Sequence, residues 1–331
     1  MGEISGALSK ATNQLRYRRA LRSLVRPSAA DPRYHSAFGG LWTDRRDAGE
    51  EVDRRLDAGA ISSEEAETLR HWITHGYVIL ERAVDPVVCD RLREDLEQAF
   101  REGDQRLVMY LGGDRTPRRL DAETDIHHTR VLDVYVYYDS ARQALFSQPI
   151  VRFLRSIFDE RPLLFQSLTF ASGSEQPMHQ DSGFVVVSSP LKFAASWIAL
   201  EDIQSGSGEL AYIDGSHRLP EYLFSGKYKH WNAKRDGDAQ HHEWHTRMHE
   251  NADRMGLARR TFLGKQGDVL IWSADLAHGG SAVTDPSLTR NSLVGHYCPT
   301  NVEPFYFKLE PDRRATRLHG DGSFASQIYG V

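Results

Sequence analysis

Cysteine is nearly absent from this chain: Cys89 and Cys298 are the only two in 331 residues. Two thiols so far apart match neither a disulfide framework nor a thiolate metal pattern, and the expectation is a reducing, cytoplasmic setting. Long apolar runs are missing as well, and no stretch approaches the ~20 residues of a membrane-spanning helix. An excess of positive charge is also lacking. The net charge is −5, which argues against a nucleic-acid partner. Lysine is scarce, seven of the 41 basic residues, and this arginine bias fits a GC-rich bacterial genome and a secondary-metabolism pathway. The rest is ordinary for a soluble globular protein, with 26% charged and 40% hydrophobic residues, enough for one large domain plus an extension.

The first 26 residues carry Lys10, Arg16, Arg18, Arg19, Arg22 and Arg26 against only Glu3. They contain no apolar core of the secretory kind, and Gly6 stands where a myristoylation signal needs Ser or Thr. They read as a helix packing on the domain or on a partner. Residues 1–60 as a whole read as a helical or irregular extension, and residues 61–331 as the main domain. Ser62-x-x-Glu65 is a capping box for a helix through Leu69, Trp72 and Ile73, with Gly76 as its C-cap. YVILER (77–82) reads as a strand. Asp85-Pro86 opens a second helix with Val88, Leu92, Leu96 and Ala99 on one face, and a third is expected over 141–158. Then the pattern changes. LLFQSLTF, GFVVVSS, FAASWIAL, ELAYIDG, DVLIWSA and NSLVGHY are short β-branched and aromatic segments separated by turn clusters such as SGSG and GKQGD. Helices followed by many short strands predict an all-β core with flanking helices, a double-stranded β-helix (jelly-roll, cupin-like) barrel.

Residues 225–260 interrupt the strands with a segment rich in histidine and charge, which reads as a lid at the barrel rim. Its His241, His245 and His249 fall at i, i+4, i+8 and would align on a helix with Glu243 nearby. The spacing departs from the His-Glu-x-x-His zinc motif, so the reading is a solvated or substrate-facing lid helix, with a zinc site as its rival. Lys227, Lys229, Lys234, Arg235, Asp236 and Asp238, with Tyr228, Trp231 and Trp244, suit a polar, anionic or sugar-like compound.

PMHQDSG (177–183) sets His179 two residues before Asp181. The spacing alone proves little, since His319-Gly320-Asp321 repeats it near the C-terminus. Context separates them. In a strand, residues i and i+2 face the same way, so His179 and Asp181 would project together into the barrel. His278, in GDVLIWSADLAHGGS, follows an apolar strand and precedes Gly279-Gly280, which permit close backbone approach. Two histidines and one carboxylate leave open positions on an octahedral metal, the arrangement of non-haem Fe(II) oxygenases. In TRNSLVGHY, Arg290, Ser292, Val294 and His296 share one strand face. Arg-x-Ser suits a dicarboxylate, through a bidentate guanidinium and a hydroxyl. His296 reads as a satisfied core histidine and His217 as a loop-structuring residue. The decoy at 319–321 has no later His or Arg-x-Ser partner.

With these pieces in order the chain resembles the phytanoyl-CoA dioxygenase family of Fe(II)/2-oxoglutarate oxygenases, to which ectoine hydroxylase belongs. GYVILERAVDP, LLFQSLTF, PMHQDSGF, SWIALEDIQSGSGELAYIDGSHR, GDVLIWSADLAHGGS and TRNSLVGHY carry the resemblance over roughly residues 65–300. It implies His179, Asp181 and His278 as iron ligands, and Arg290, helped by Ser292, as the partner of the distal carboxylate of 2-oxoglutarate. It implies Trp197, Gln166 and Arg130 as cosubstrate-pocket residues. Related halogenases carry a small residue where Asp181 stands, so the carboxylate implies oxygen chemistry. The implied cofactors are Fe(II), 2-oxoglutarate and O2. The implied reaction releases succinate and CO2 and hydroxylates a small molecule through a ferryl species, which can also support desaturation, ring closure or epimerisation. Two other readings stand beside it, a non-catalytic metabolite-binding jelly roll and a zinc hydrolase built on the lid histidines. Substrate and oligomeric state are left open, because fold and cofactor do not fix them.

Overall fold

The computed structural model describes residues 21–112, 114–305 and 315–326, together with 15, 18 and 19; most of the Arg-rich start lies outside the described residues. Helix α1 (Ala48–Asp57) precedes α2 (Ser63–His75). The α2 capping box forms as its sequence dictates. Glu65 N donates to Ser62 Oγ at 3.2 Å and Ser62 N donates to the Glu65 carboxylate at 2.8 Å, while Gly76 ends the helix at φ 79°. In α3 (Pro86–Glu102), Asp85 accepts from Val87 N at 2.9 Å, and Leu92, Leu96 and Ala99 are buried. The single helix expected over 141–158 is two, α4 (Asp139–Leu145) and α5 (Gln148–Phe158). Pro149, which lacks a backbone donor, restarts the helix in its first turn.

The strands are β1 (Tyr77–Leu80), β2 (Val108–Leu111), β3 (Asp114–Arg119), β4 (Thr129–Leu132), β5 (Pro162–Phe170), β6 (Ala194–Ala199), β7 (Leu210–Ile213), β8 (Arg259–Phe262), β9 (Val269–Ser273), β10 (His278–Gly280), β11 (Ser292–Pro299), β12 (Ala315–His319) and β13 (Gly322–Ser326); helix α6 (Ala233–Arg254) lies between β7 and β8. One sheet runs β1-β9-β6-β11-β5-β4-β2-β3, with β13 parallel to β5 and β12 paired to β13. The second is β10-β7-β8. These two largely antiparallel sheets with helices on one side make the jelly-roll arrangement. Among the described residues their ladders stay separate rather than closing into a barrel.

Cross-strand register decides what faces what. Gln166, His296, Ala195, Trp272 and Tyr77 form one row across the large sheet, and Leu168, Val294, Trp197 and Leu270 form the next. Directly opposed residues share a face. This face packs Trp197, Val294 and Trp272 against Leu210, Tyr212 and Phe262 of the small sheet. The alternate residues Ile198, Leu293, Tyr297 and Ile271 pack outward on helix residues such as Leu92, Leu96, Ala144 and Ile150. Leu41 and Val52, from the first 60 residues, lie in that same core. The helices therefore seal one face and leave the other for polar chemistry.

Leu92 is fully buried on α3, whereas Val87 on the same helix is 67% exposed. Leu92→Ala is expected to lower unfolding free energy by about 2–5 kcal/mol and Val87→Ala by no more than about 0.5 kcal/mol, as read from urea denaturation.

Candidate metal centre

Two backbone hydrogen bonds build the site. His179 N donates to His278 O at 2.8 Å, and His278 N donates to His179 O at 2.9 Å, an isolated antiparallel bridge at the start of β10. Glycine makes the approach possible. A Cβ at Gly279 would lie 2.7 Å from Gln176 O, and one at Gly280 would lie 2.9 Å from Glu175 N. The strand expected through PMHQDSGF and GFVVVSS does not form. Asp181–Gly183 is a 3-10 turn in which Phe184 N and Val185 N donate to Asp181 O at 2.8 and 2.7 Å, and Val187 makes a lone bridge to Pro304. Donors used within the turn are not available to a ladder. A bridge and a turn, not strand alternation, bring the triad together.

Each histidine is oriented by its own backbone. His179 Nδ1 lies 2.8 Å from Pro177 O and His278 Nδ1 lies 3.0 Å from Leu276 O. Those carbonyls can only accept, so both Nδ1 atoms carry the proton and both Nε2 atoms keep a lone pair. The Nε2 atoms lie 3.6 and 3.8 Å from Asp181 Oδ1. The three donor atoms sit within 4.8 Å of one another, the one such group among the described residues, and all three residues are buried. Asp181 Oδ2 is held from behind. The Trp272 indole N–H donates to it at 2.9 Å and His296 Nε2 stands 3.4 Å away. One carboxylate oxygen is thus anchored while the other faces the imidazoles. Burial pushes the Asp181 carboxyl up, but His278, His179 and His296 together bring it well below its ordinary value. Burial pushes His278 down to about 4, so its imidazole stays neutral and its lone pair free for a cation. The donor set and its anchoring fit a divalent metal.

Beside the triad lies a buried cation. Arg290 is 2% exposed. Its Nη1 donates to Gly208 O at 3.0 Å and its Nη2 to Ser172 O at 3.3 Å, while Nε has no partner. No described carboxylate forms a salt bridge with it. Rings surround it, with Phe170 at 5.5 Å and Trp197 at 5.6 Å. Burial, reinforced by Arg130 and opposed by Glu209, pushes the guanidinium down to about 10. Ser292 is fully buried and its Oγ also has no partner. A buried charge and a buried hydroxyl left unmatched are costly unless a ligand completes them. Arg130 lies over the same Phe170 ring at 5.2 Å and donates to Gln176 Oε1 at 3.2 Å. The Gln176 amide nitrogen is 3.1 Å from His179 Nε2, so Gln176 joins the cationic pocket to the triad. Gln166 lies opposite His296 across the strand pair.

Gln176 and Trp272 carry no local signal in the sequence, where His296 reads as a core histidine. Their signal was register: Trp272 and His296 flank Ala195 in one row, visible only once the strands are paired. His217 is a loop-structuring residue as expected, with Nε2 3.2 Å from Ile73 O. The decoy lies at the β12–β13 turn, where Asp321 pairs with Arg155 at 3.3 Å.

Above the triad, α6 kinks at Gly237 (φ 66°, ψ 178°). Trp244, Met248 and Ala252 are buried. His241, His245 and His249 align but belong to no metal-holding group among the described residues. Glu243 pairs with Arg247 at 2.6 Å and accepts from Tyr222 at 3.0 Å, and His249 meets Arg259 at 3.3 Å. Rings lead from the triad into the lid. Phe184 lies 5.6 Å from His179, 6.1 Å from Trp231, 5.9 Å from His241 and 5.6 Å from Trp244. Much of the lid's charge is already paired within the protein. Arg235 bonds Asp236 at 2.6 Å and stacks on Tyr228 at 3.7 Å, and Lys229 is buried against Asp275 at 2.7 Å.

The family model for phytanoyl-CoA dioxygenase (PhyH) matches residues 72–291. No curated protein matches the chain in sequence. Among solved structures, the non-heme alpha ketoglutarate dependent epimerase SnoN from nogalamycin biosynthesis superposes with TM-score 0.56 at 16% identity, over 80% of this chain and 98% of that one. The carbocyclase SnoK from the same biosynthesis gives TM-score 0.52 at 16% identity, over 74% and 87%. EctD from S. alaskensis with bound Fe gives 0.50 at 16%, over 84% of both chains. These likenesses show a shared fold.

Trp272→Phe keeps a ring near His278 but removes the indole donor from Asp181. Because partners behind a ligand orient it, Co(II) affinity is expected to fall about 10–100-fold with the circular dichroism spectrum unchanged. Unaltered affinity would show that the indole bond does not hold Asp181 in place.

Proposed function

Since the chain belongs to the phytanoyl-CoA dioxygenase family, an Fe(II)/2-oxoglutarate-dependent enzyme group using O2, we propose that it hydroxylates a small organic molecule, releasing succinate and CO2. The observation that carries this reading is a buried His-Asp-His group in the same interior as a buried guanidinium that has no carboxylate partner and an unpartnered Nε, next to an unpartnered Ser292 hydroxyl. Fe(II) would be held by Nε2 of His179 and His278 and by Oδ1 of Asp181. When bound, it supplies with 2-oxoglutarate and O2 the oxidising power to break a C–H bond.

The chain's own residues do the rest. Arg290 takes the distal carboxylate of the cosubstrate, with Ser292 Oγ as a further donor. Trp197 and Phe170 wall that carboxylate off from water, which strengthens its attraction to the guanidinium. Arg130 and Gln176 border the pocket, and Gln166 lies on its floor beside His296. Trp272 and His296 keep Asp181 ionised and fixed in direction. The lid excludes water with Phe184, Trp231 and Trp244. Because Arg235 and Asp236 pair within the lid and Lys229 turns inward to Asp275, this wall meets a substrate mainly through ring faces and imidazoles. A small-molecule substrate with a ring to stack fits it better than one recognised through the lid's charges. The two free, buried cysteines suit a reducing, cytoplasmic setting.

Anaerobic addition of Fe(II) and then 2-oxoglutarate is expected to produce the weak visible charge-transfer band of chelated cosubstrate. His179→Ala should lose it. Arg290→Ala should need about tenfold or more 2-oxoglutarate, since a hydrogen bond to a charged group contributes about 1.5–3 kcal/mol. On admitting O2, the wild type should form succinate. Well-folded, iron-loaded protein that gives neither band nor succinate would overturn the reading.

A further inference from the structure

The triad's two loops meet behind Asp181 at one residue, Asp275. Its carboxylate accepts from Ser182 Oγ, the residue after Asp181. Its backbone carbonyl accepts from Gln180 Nε2, the residue before Asp181, at 2.7 Å. The neighbouring Ala274 O accepts from Ser182 N at 3.0 Å. Asp275 also lies three residues before His278. The second carboxylate oxygen takes Lys229 Nζ at 2.7 Å, and Lys229 comes from the lid. Glu221, the next acid near that ammonium, stands 3.8 Å away.

Lys229 is 5% exposed, so its charge has little water to fall back on. Its backbone is clamped too. Lys229 N donates to Leu24 O at 2.8 Å and Arg26 N donates to Lys227 O at 2.7 Å, so residues 24–26 lie along the lid's outer edge. Trp231 N donates to Gly183 O at 3.0 Å, a second tie between the lid and the Asp181 turn.

We propose that Lys229 and Asp275 are positioning residues that form a latch, through which lid closure and metal binding favour one another. The proposal rests on the metal reading of the triad. A lid held down fixes Asp275, and Asp275 fixes the turn carrying Asp181 and the approach to His278. Reciprocity follows from linkage: if lid closure raises metal affinity by some factor, metal must favour the closed lid by the same factor. Breaking a buried ion pair on one side only leaves an uncompensated charge, whereas neutralising both does not. That difference separates a latch from mere stabilisation.

The test uses the full chain with Co(II) as probe, read by its visible absorption, alongside limited trypsin cleavage at the exposed lid residues Lys227 and Lys234. In the wild type, Co(II) should slow lid cleavage. Lys229→Met, which touches no ligand, should speed cleavage, abolish the protection by Co(II) and weaken Co(II) binding about tenfold or more, the size typical of a lost supporting contact. Lys229→Met/Asp275→Asn should regain thermal stability relative to Lys229→Met but not Co(II) affinity. Folded Lys229→Met protein with wild-type Co(II) affinity would overturn the latch, and so would a double variant that recovers both stability and affinity. Absence of Co(II) binding in the wild type would instead overturn the metal reading, and the latch with it.

Discussion

The backbone bridge between His179 and His278 is the constraint on which the site depends. Side-chain ligands can be placed to a fraction of an ångström only if the backbones beneath them are fixed to each other. Here the two chain segments hydrogen-bond directly at the ligand residues, and glycine at 279 and 280 removes the Cβ atoms that would hold them apart. The orienting bonds repeat on both sides. Each histidine places Nδ1 against the carbonyl two residues earlier, Pro177 O or Leu276 O. The triad is thus preorganised by local backbone geometry, and the sheet's task is to supply the anchor behind Asp181.

Two buried charges of opposite sign share the space between the sheets, and they are satisfied in different ways. Asp181 is surrounded by imidazoles and an indole donor, so its charge is favoured despite burial. Arg290 has only carbonyl dipoles and ring faces, and burial works against its charge. The first arrangement is complete for a carboxylate awaiting a cation. The second is incomplete without an anion. An Fe(II)/2-oxoglutarate enzyme needs both, and the inner face of one sheet carries both because β11 brings Ser292 and His296 to the same side, four residues apart.

Much of this was legible in the sequence. The capping box at Ser62, the proline-led α3 and the apolar strands β5, β6, β9 and β11 carry strong local signals, and their structure follows. The triad was legible because His-x-Asp, a later His-Gly-Gly and an Arg-x-Ser came in order. Where reading failed, the information was not local. β2, β3 and β4 are short, and VMYL, DRTPRR and TRVL carry little alternation; they are strands because partners exist beside β5. GFVVVSS has strand composition, yet the turn at Asp181 takes its donors. His296 and Trp272 looked like core residues, and their contacts with Asp181 emerge only from register. Lys229 looked like a lid charge available to a ligand, and only the fold shows it turned inward to Asp275.

The same inward turn places residues 24–52 close to the chemistry, although no motif marks them. Leu41 and Val52 fill the core beneath the helices, Ser36 bonds Glu221, Arg218 donates to Thr43 O at 3.3 Å, and Leu24 O accepts from Lys229 N at 2.8 Å. The three polar contacts reach the 218–229 segment, which in turn reaches Asp275. A hydrogen-bonded path of packed groups therefore connects the N-terminal segment to both loops of the triad. The helices insulate the outer face of the large sheet, so a disturbance there meets mainly apolar packing. One along the N-terminal edge meets polar contacts that end at Asp181. Its influence on the centre is carried by those contacts, which is why a stretch without catalytic residues belongs to the architecture of the site.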